Sequence, residues 1–143
     1  MMQILKLAAL PLAALAITAC ESEAEKQADV AEDRMEAQAE QSAAAAGMEE
    51  AALGMTELQL IDADLVAADG TELGDIEAVH RDASGAVDGL FVELDNTDPD
   101  RFVMIPLDGL SMRMDGDDKD VQTEMTAQDL AALPDAQMPA AGM

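Results

Sequence analysis

The chain carries one cysteine, Cys20, and one histidine, His80, among thirty-one aspartates and glutamates and eleven methionines. Any chemistry must be built from these side chains. One cysteine excludes an intramolecular disulfide and a Cys-rich zinc site, and one histidine excludes the usual His-cluster metal centres. A nucleophilic thiol needs a neighbouring base or cation to lower its pKa, yet Cys20 is followed by Glu21, Glu23 and Glu25. His80 has no second His or Cys for company, and its strand neighbours of like parity, Ile76 and Ala78, are apolar, so a structural or partly exposed ring is expected. Met112 and Met114 share a strand face, and thioethers suit Cu(I). In a chain with two Phe and no Trp or Tyr, however, such methionines are expected to fill the core. There is no Ser–His–Asp or Cys–His set and no phosphate-cradling glycine loop in the sequence. No catalytic residue is assigned, no enzyme activity is expected, and no cofactor is implied.

The carboxylates invite a different argument. If the strands read below form a simple up-and-down meander, alternate hairpins emerge at one end. Asp69, the Asp95/Asp98/Asp100 loop and the Asp115/Asp117/Asp118/Asp120 loop then make one acidic pole. Divalent cations suit such a pole, and extracellular Ca²⁺ sites work at ~10⁻⁴–10⁻³ M. The EF-hand template fails: counted from Asp115, the sixth place is Asp120 where glycine is required, and the twelfth is Thr126 rather than Glu. The competing reading is that these are solvated turn residues that keep an edge-rich fold soluble.

Seven basic residues against 31 acidic ones give a formal charge of −24. Such a surface repels phosphate backbones, which excludes nucleic-acid partners. The 143 residues leave room for one compact domain plus a tail. Residues 7–19 form an apolar run broken only by Thr18, with Lys6 ahead of it. As a helix this run spans about 20 Å, short of the ~30 Å hydrocarbon core of a bilayer. A basic start, a short apolar stretch and then small residues match a secretory signal peptide. Ile17, Thr18, Ala19 and Cys20 resemble a bacterial lipobox. That resemblance implies a diacylglyceryl group on the Cys20 thiol, cleavage before Cys20 and acylation of the new amino group. Each buried CH₂ of the chains contributes ~0.8 kcal/mol, so two or three chains anchor a protein effectively permanently. Glu21, rather than Asp, favours the outer membrane over the inner one in bacterial sorting rules.

The elements that position these residues follow in order. Residues 1–19 are the signal peptide. Residues 20–56 are an acidic, low-complexity stretch rich in Ala, Glu and Gln, with breaks near Gly47 and Gly54. It reads as a frayed single helix or a disordered tether, because alanine buries too little area to hold an interface alone. A helix of ~25 residues would reach about 40 Å from the membrane, and a coiled coil pairing two copies is the alternative. Residues 57–134 form the folded part, and 135–143 a flexible tail. In the folded part Ile61, Ala63, Leu65 and Ala67 share one strand face, with Asp62 and Asp64 on the other. Asp69-Gly70 and Ser84-Gly85 mark turns. Strands near 73–81, 87–94 and 101–107 follow, then two more either side of "DGDDKD". Thr126 as N-cap, Asp129 three residues on and Pro134 as a stop bound a terminal helix. The strands at 87–94 and 101–107 are apolar on both faces, so one face needs cover from the terminal helix, the tether or a partner.

Six short strands and one terminal helix suggest a small β-barrel. Asp69, Gly70, Gly74, Asp82, Gly85, Ile105, Pro106 and Leu110 sit in the order and spacing of the PRC-barrel pattern, over roughly residues 57–134. The sequence resembles that family, departing from it at His80, where an aliphatic residue is usual, and in the acidic "DNTDPD" loop. The resemblance implies a PRC-type barrel that serves as a protein-contact module without catalytic residues of its own. The expectation is therefore a mainly β, lipid-anchored envelope protein facing the periplasm. Its partners would be the bilayer through acylated Cys20 and an envelope protein, with a homodimer as an alternative. A Ca²⁺-binding or copper-handling protein is the rival.

Overall fold

The computed structural model describes residues 23–137. Cys20, the lipobox residues Ile17, Thr18 and Ala19, and the signal stretch lie outside the described residues. Helix α1 spans Glu23–Ala46 and is followed by a small hairpin, β1 (Glu50–Ala52) and β2 (Met55–Thr56). Helix α2 (Glu57–Ile61) leads into six strands: β3 (Asp64–Ala67), β4 (Glu72–Arg81), β5 (Val87–Leu94), β6 (Arg101–Pro106), β7 (Leu110–Asp115) and β8 (Asp118–Thr123). Helix α3 (Ala127–Ala131) closes the described chain. The protein is thus mainly β, with an N-terminal helix and a short C-terminal one.

The six strands form one sheet in the order β6-β5-β4-β3-β8-β7. Strands β3 to β6 are an antiparallel meander, as their turn residues predict. The simple meander then ends, because β8 lies parallel to β3, with Leu65 beside Val121. Strands β6 and β7 consequently sit at opposite ends of the sheet although only Leu107, Asp108 and Gly109 separate them. In a flat sheet the end strands would be about 24 Å apart, while the link from Pro106 to Leu110 reaches at most ~14 Å. The sheet must therefore curl round on itself, and no ladder joins β6 to β7 among the described residues.

Inside the curl lie Leu65, Ile76, Leu90, Val92, Val103, Ile105 and Val121, all nearly or fully buried. Leu60 of α2 and Leu130 of α3 join the same core, as does Met55 from the small hairpin. Helix α2 replaces the start of the strand expected from residue 58. Thr56 and Gln59 form a capping box, Gln59 N–H donating to Thr56 Oγ1 at 3.2 Å and Thr56 N–H to Gln59 Oε1 at 3.1 Å, and this starts a helical turn. Thr126 and Asp129 make the expected cap on α3. At Gly74 a Cβ would come within 2.1 Å of the Glu93 carbonyl oxygen, so only glycine permits this β4–β5 approach. Gly70 supplies the positive φ of 89° in the β3–β4 turn.

The second apolar face of β5 and β6 is covered by α1. Met35 packs with Phe91 and Phe102, flanked by Ala78 and Ala136, and Ala39 and Ala43 are buried one and two turns further along the helix. Of the covers anticipated from sequence, the Ala/Glu-rich helix is the main one. The beginning of the expected tail is also held: Ala136 N–H donates to the Phe102 carbonyl at 2.7 Å, and Arg101 donates to Asp135 and to the Ala131 and Leu133 carbonyls. The methionine expectation fails on β7, where Met112 is 39% and Met114 52% exposed. Met112 lies opposite buried Val121 and so has core-facing parity, but β7 is an end strand and the core does not extend over it.

Met35→Ala is expected to lower the free energy of unfolding by about 2 kcal/mol, as truncation of a buried Met does. Val30→Ala, on the same helix but half exposed, should change it by less than ~0.5 kcal/mol. Urea titrations of the two variants at about pH 6 read the difference directly.

Candidate functional site

Strand alternation turns Leu65, Ile76, Val92 and Val121 inward, so their neighbours in sequence face out. On that outer face the register places Asp64 opposite Asp75, and Asp75 opposite Glu93. The parallel pairing sets Asp120 next to Asp64, since Leu65 lies beside Val121. A row of carboxylates therefore crosses β8, β3, β4 and β5 at inter-strand spacing. Like charges set directly opposite one another destabilise a sheet, and the proton affinities of Asp120, Asp64 and Glu93 are raised.

Burial raises the Asp64 carboxyl above its usual range, helped by the charges of Asp75 and Asp95 and by a hydrogen bond with Asp75. Asp64 and Asp95 in turn raise Glu72. Asp120 is raised by burial and by Asp64. The largest displacements lie under α1. Glu77 is pushed up to about 7 by burial, then by Glu36 and Glu32 of the helix. Glu93 is pushed up to about 7 by burial, then by Glu32 and by Asp100.

The structure divides the acidic pole expected from sequence. Asp115, Asp117, Asp118 and Asp120 line an open cleft of about 490 Å³ with Asp62, Asp64 and Glu72. Asp95 acts on Asp64 and Glu72 from the β5–β6 loop. Asp98 and Asp100 turn the other way and line a hollow with Glu25 and Asp29 of α1. Asp69 serves its own turn: its Oδ1 accepts the Thr71 N–H at 3.0 Å, which holds its carboxyl low, and Arg113 adds to this. The parallel β3–β8 pairing is the physical reason for the division, because it removes the alternation of hairpin ends on which the single pole depended. Two groups of carboxylates, Asp64/Glu72/Asp75 and Asp29/Glu32/Asp100, bring their oxygens within 4.8 Å of one another. Each is spaced closely enough to share a cation, but these are exposed or half-exposed carboxylates in a strongly acidic chain, and no metal site is assigned to them.

His80 is half-exposed, with Nδ1 at 2.5 Å from Asp88 Oδ1 and its ring edge-on to Phe91 at 5.7 Å between centroids. It is a structural histidine beside the seat of α1. The sequence reading missed Glu57, which is fully buried and paired with Arg81. It also missed the strand carboxylates Asp64, Glu72, Asp75, Glu77 and Glu93 as a group. The outward parity of Asp64 was visible, but adjacency across strands requires the register. On α1 the signal was present: Asp29, Glu32, Glu36 and Glu40 recur at helical spacing beside Met35, Ala39 and Ala43. Scans against family models and a search of curated proteins found no match to this chain.

Asp75 occupies the centre of the row, opposite both Asp64 and Glu93. Asp75→Asn is expected to stabilise the fold by a few tenths to ~1 kcal/mol at low salt, from relieved repulsion. Thermal melts at about 20 mM and 500 mM NaCl check this, and the gain should shrink at the higher salt.

Proposed function

We propose that this chain is a lipid-anchored envelope protein facing the periplasm, with a PRC-type barrel that serves as a non-catalytic protein-interaction module. The observation that carries the interaction reading is the outer edge of β7. This end strand presents Met112 and Met114 to solvent on one face and has no ladder partner on its far side among the described residues. An unpaired edge flanked by exposed apolar side chains is the surface that β-strand addition uses.

Several positions support the PRC-type reading. Asp69 and Gly70 form the β3–β4 turn, and Gly74 stands where a side chain would meet β5. The Asp82 carboxylate accepts hydrogen bonds from Ser84 and from the Ala86 N–H in the turn that contains Gly85. Ile105 is buried, Pro106 ends β6, and Leu110 packs against the core. The curl imposed by the three-residue link between β6 and β7 supports a barrel-like sheet that, among the described residues, stays unladdered between those two strands. The lipobox residues support the anchor. The rival cation-handling reading loses support with the division of its acidic pole.

Two measurements test the proposal. Intact-mass spectrometry of membrane-fraction protein should find a chain that starts at Cys20 and carries acyl mass, with both features lost in Cys20→Ser. An unmodified chain in the soluble fraction would sink the anchor. For the interaction surface, Met112→Lys with Met114→Lys should abolish capture of the envelope partner while changing stability by less than about 0.5 kcal/mol, as exposed substitutions do. Calcium discriminates the rival: ~5 mM Ca²⁺ should move the melting temperature no more than NaCl of equal ionic strength, whereas binding at millimolar affinity would raise it by a few degrees.

A further inference from the structure

Helix α1 is seated on a surface that repels it. Its apolar grip is one large side chain, Met35, and two alanines, Ala39 and Ala43. Around that grip both partners present carboxylates. The helix contributes Asp29, Glu32, Glu36 and Glu40. From below, β4 contributes Asp75 and Glu77, β5 contributes Glu93, and the β5–β6 loop contributes Asp100, while Asp62 and Asp64 line the same hollow as Glu36 and Glu77. Of the cations nearby, Arg81 pairs with Glu57, His80 with Asp88 and Arg101 with Asp135, while the helix's own Lys26 and Arg34 are exposed. At its C-terminus the helix ends in Gly47, at φ 63° with open space around it, followed by Met48, which is 90% exposed. A helix with a narrow apolar hold, a like-charged seat and an unencumbered glycine at one end is built to move as a unit.

We propose that α1 is a charge-gated strap. It lies docked over Phe91 and Phe102 while Glu77 is protonated, and it swings away at Gly47 when Glu77 ionises against Glu32 and Glu36. The proposal does not depend on the lipid anchor. Lifting the strap uncovers an apolar patch of Phe91, Phe102 and Ala78 and frees a rod of about 36 Å, at 1.5 Å for each of the helix's 24 residues.

The direction of the pH dependence follows from burial. The docked state holds the Glu77 carboxyl raised to about 7, from an ordinary 4.5. Docking therefore takes up a proton. Its contribution is complete below the ordinary value and is lost as pH rises through about 7. Over that interval one such group alters the docking equilibrium by about tenfold or more.

Hydrogen exchange on the full chain, in EDTA and low salt, tests the strap. Protection factors remove the intrinsic pH dependence of exchange, and α1 amides are compared with those of β4 and β5. Between about pH 5.5 and pH 8, protection in α1 should fall about tenfold or more while the strands keep theirs. Glu77→Gln should retain more α1 protection at the higher pH than the unaltered chain, although Glu93 still ionises there, and Met35→Ala should lose it at both. If α1 protection tracks the strands at both pH values, there is no strap. If Glu77→Gln loses α1 protection as the unaltered chain does, Glu77 is not its gate.

Discussion

The parallel pairing of β8 against β3 is the constraint from which the rest of the structure follows. It seats the β7–β8 hairpin beside the first strand of the meander rather than the last, with Leu65 beside Val121. Strands β6 and β7 are then at opposite ends of the ladder but only three residues apart in sequence, and a flat sheet cannot satisfy both conditions. Curling gives the sheet an inside, and the inside is where a chain almost without aromatics can assemble Leu, Val and Ile densely enough to fold. The same pairing brings Asp120 beside Asp64, so the geometry that creates the core also aligns carboxylates on the outer face.

That outer face shows how an acidic composition and a small core are reconciled. A chain with charge −24 cannot place every carboxylate at a distance from the others. The row through Asp64, Asp75 and Glu93 and the cluster under α1 are where the crowding is greatest. Around Glu77 and Glu93 the strain is carried as raised proton affinity. The apolar part of the face is small, and Met35, Phe91 and Phe102 close it. Without α1, both phenylalanines of the chain would stand exposed on one side of the sheet.

How much of this was legible depends on the range over which each feature is encoded. Turns and caps are local: Asp69-Gly70, Ser84-Gly85 and the Thr126–Asp129 box appear in the structure where the sequence places them. The double-sided hydrophobicity of β5 and β6 correctly signalled a second layer above Phe91. Helix α2 was overlooked, although Thr56 and Gln59 carry its capping box, because the alternation of Ile61, Ala63 and Leu65 runs straight through the helix end. The docking of α1 was hard to foresee from alanines alone, since Met35 supplies the only large contact. Parallel pairing of β8 with β3 has no local signature at all. Neighbours in the carboxylate row, such as Asp64 and Asp75, are brought together by register, so the row could not be read from spacing along the chain.

The edge of β7, which has no ladder partner among the described residues, raises a last physical question: why such a chain would not simply aggregate through it. Edge pairing offers each partner a set of main-chain hydrogen bonds irrespective of sequence. Charge supplies the discrimination. A second copy would approach the β7 edge carrying the same excess of carboxylates, with Asp115, Asp117, Asp118 and Asp120 at the end of the β7–β8 hairpin meeting their own kind. At physiological ionic strength the Debye length is about 8 Å, so this repulsion acts at the range where strands begin to align. A neutral strand meets no such barrier, and a basic one gains from the same field. On the proposed reading, the acidity that crowds the outer face biases this edge toward partners unlike itself, and Met112 and Met114 would add apolar contact to the hydrogen bonds such a partner would form.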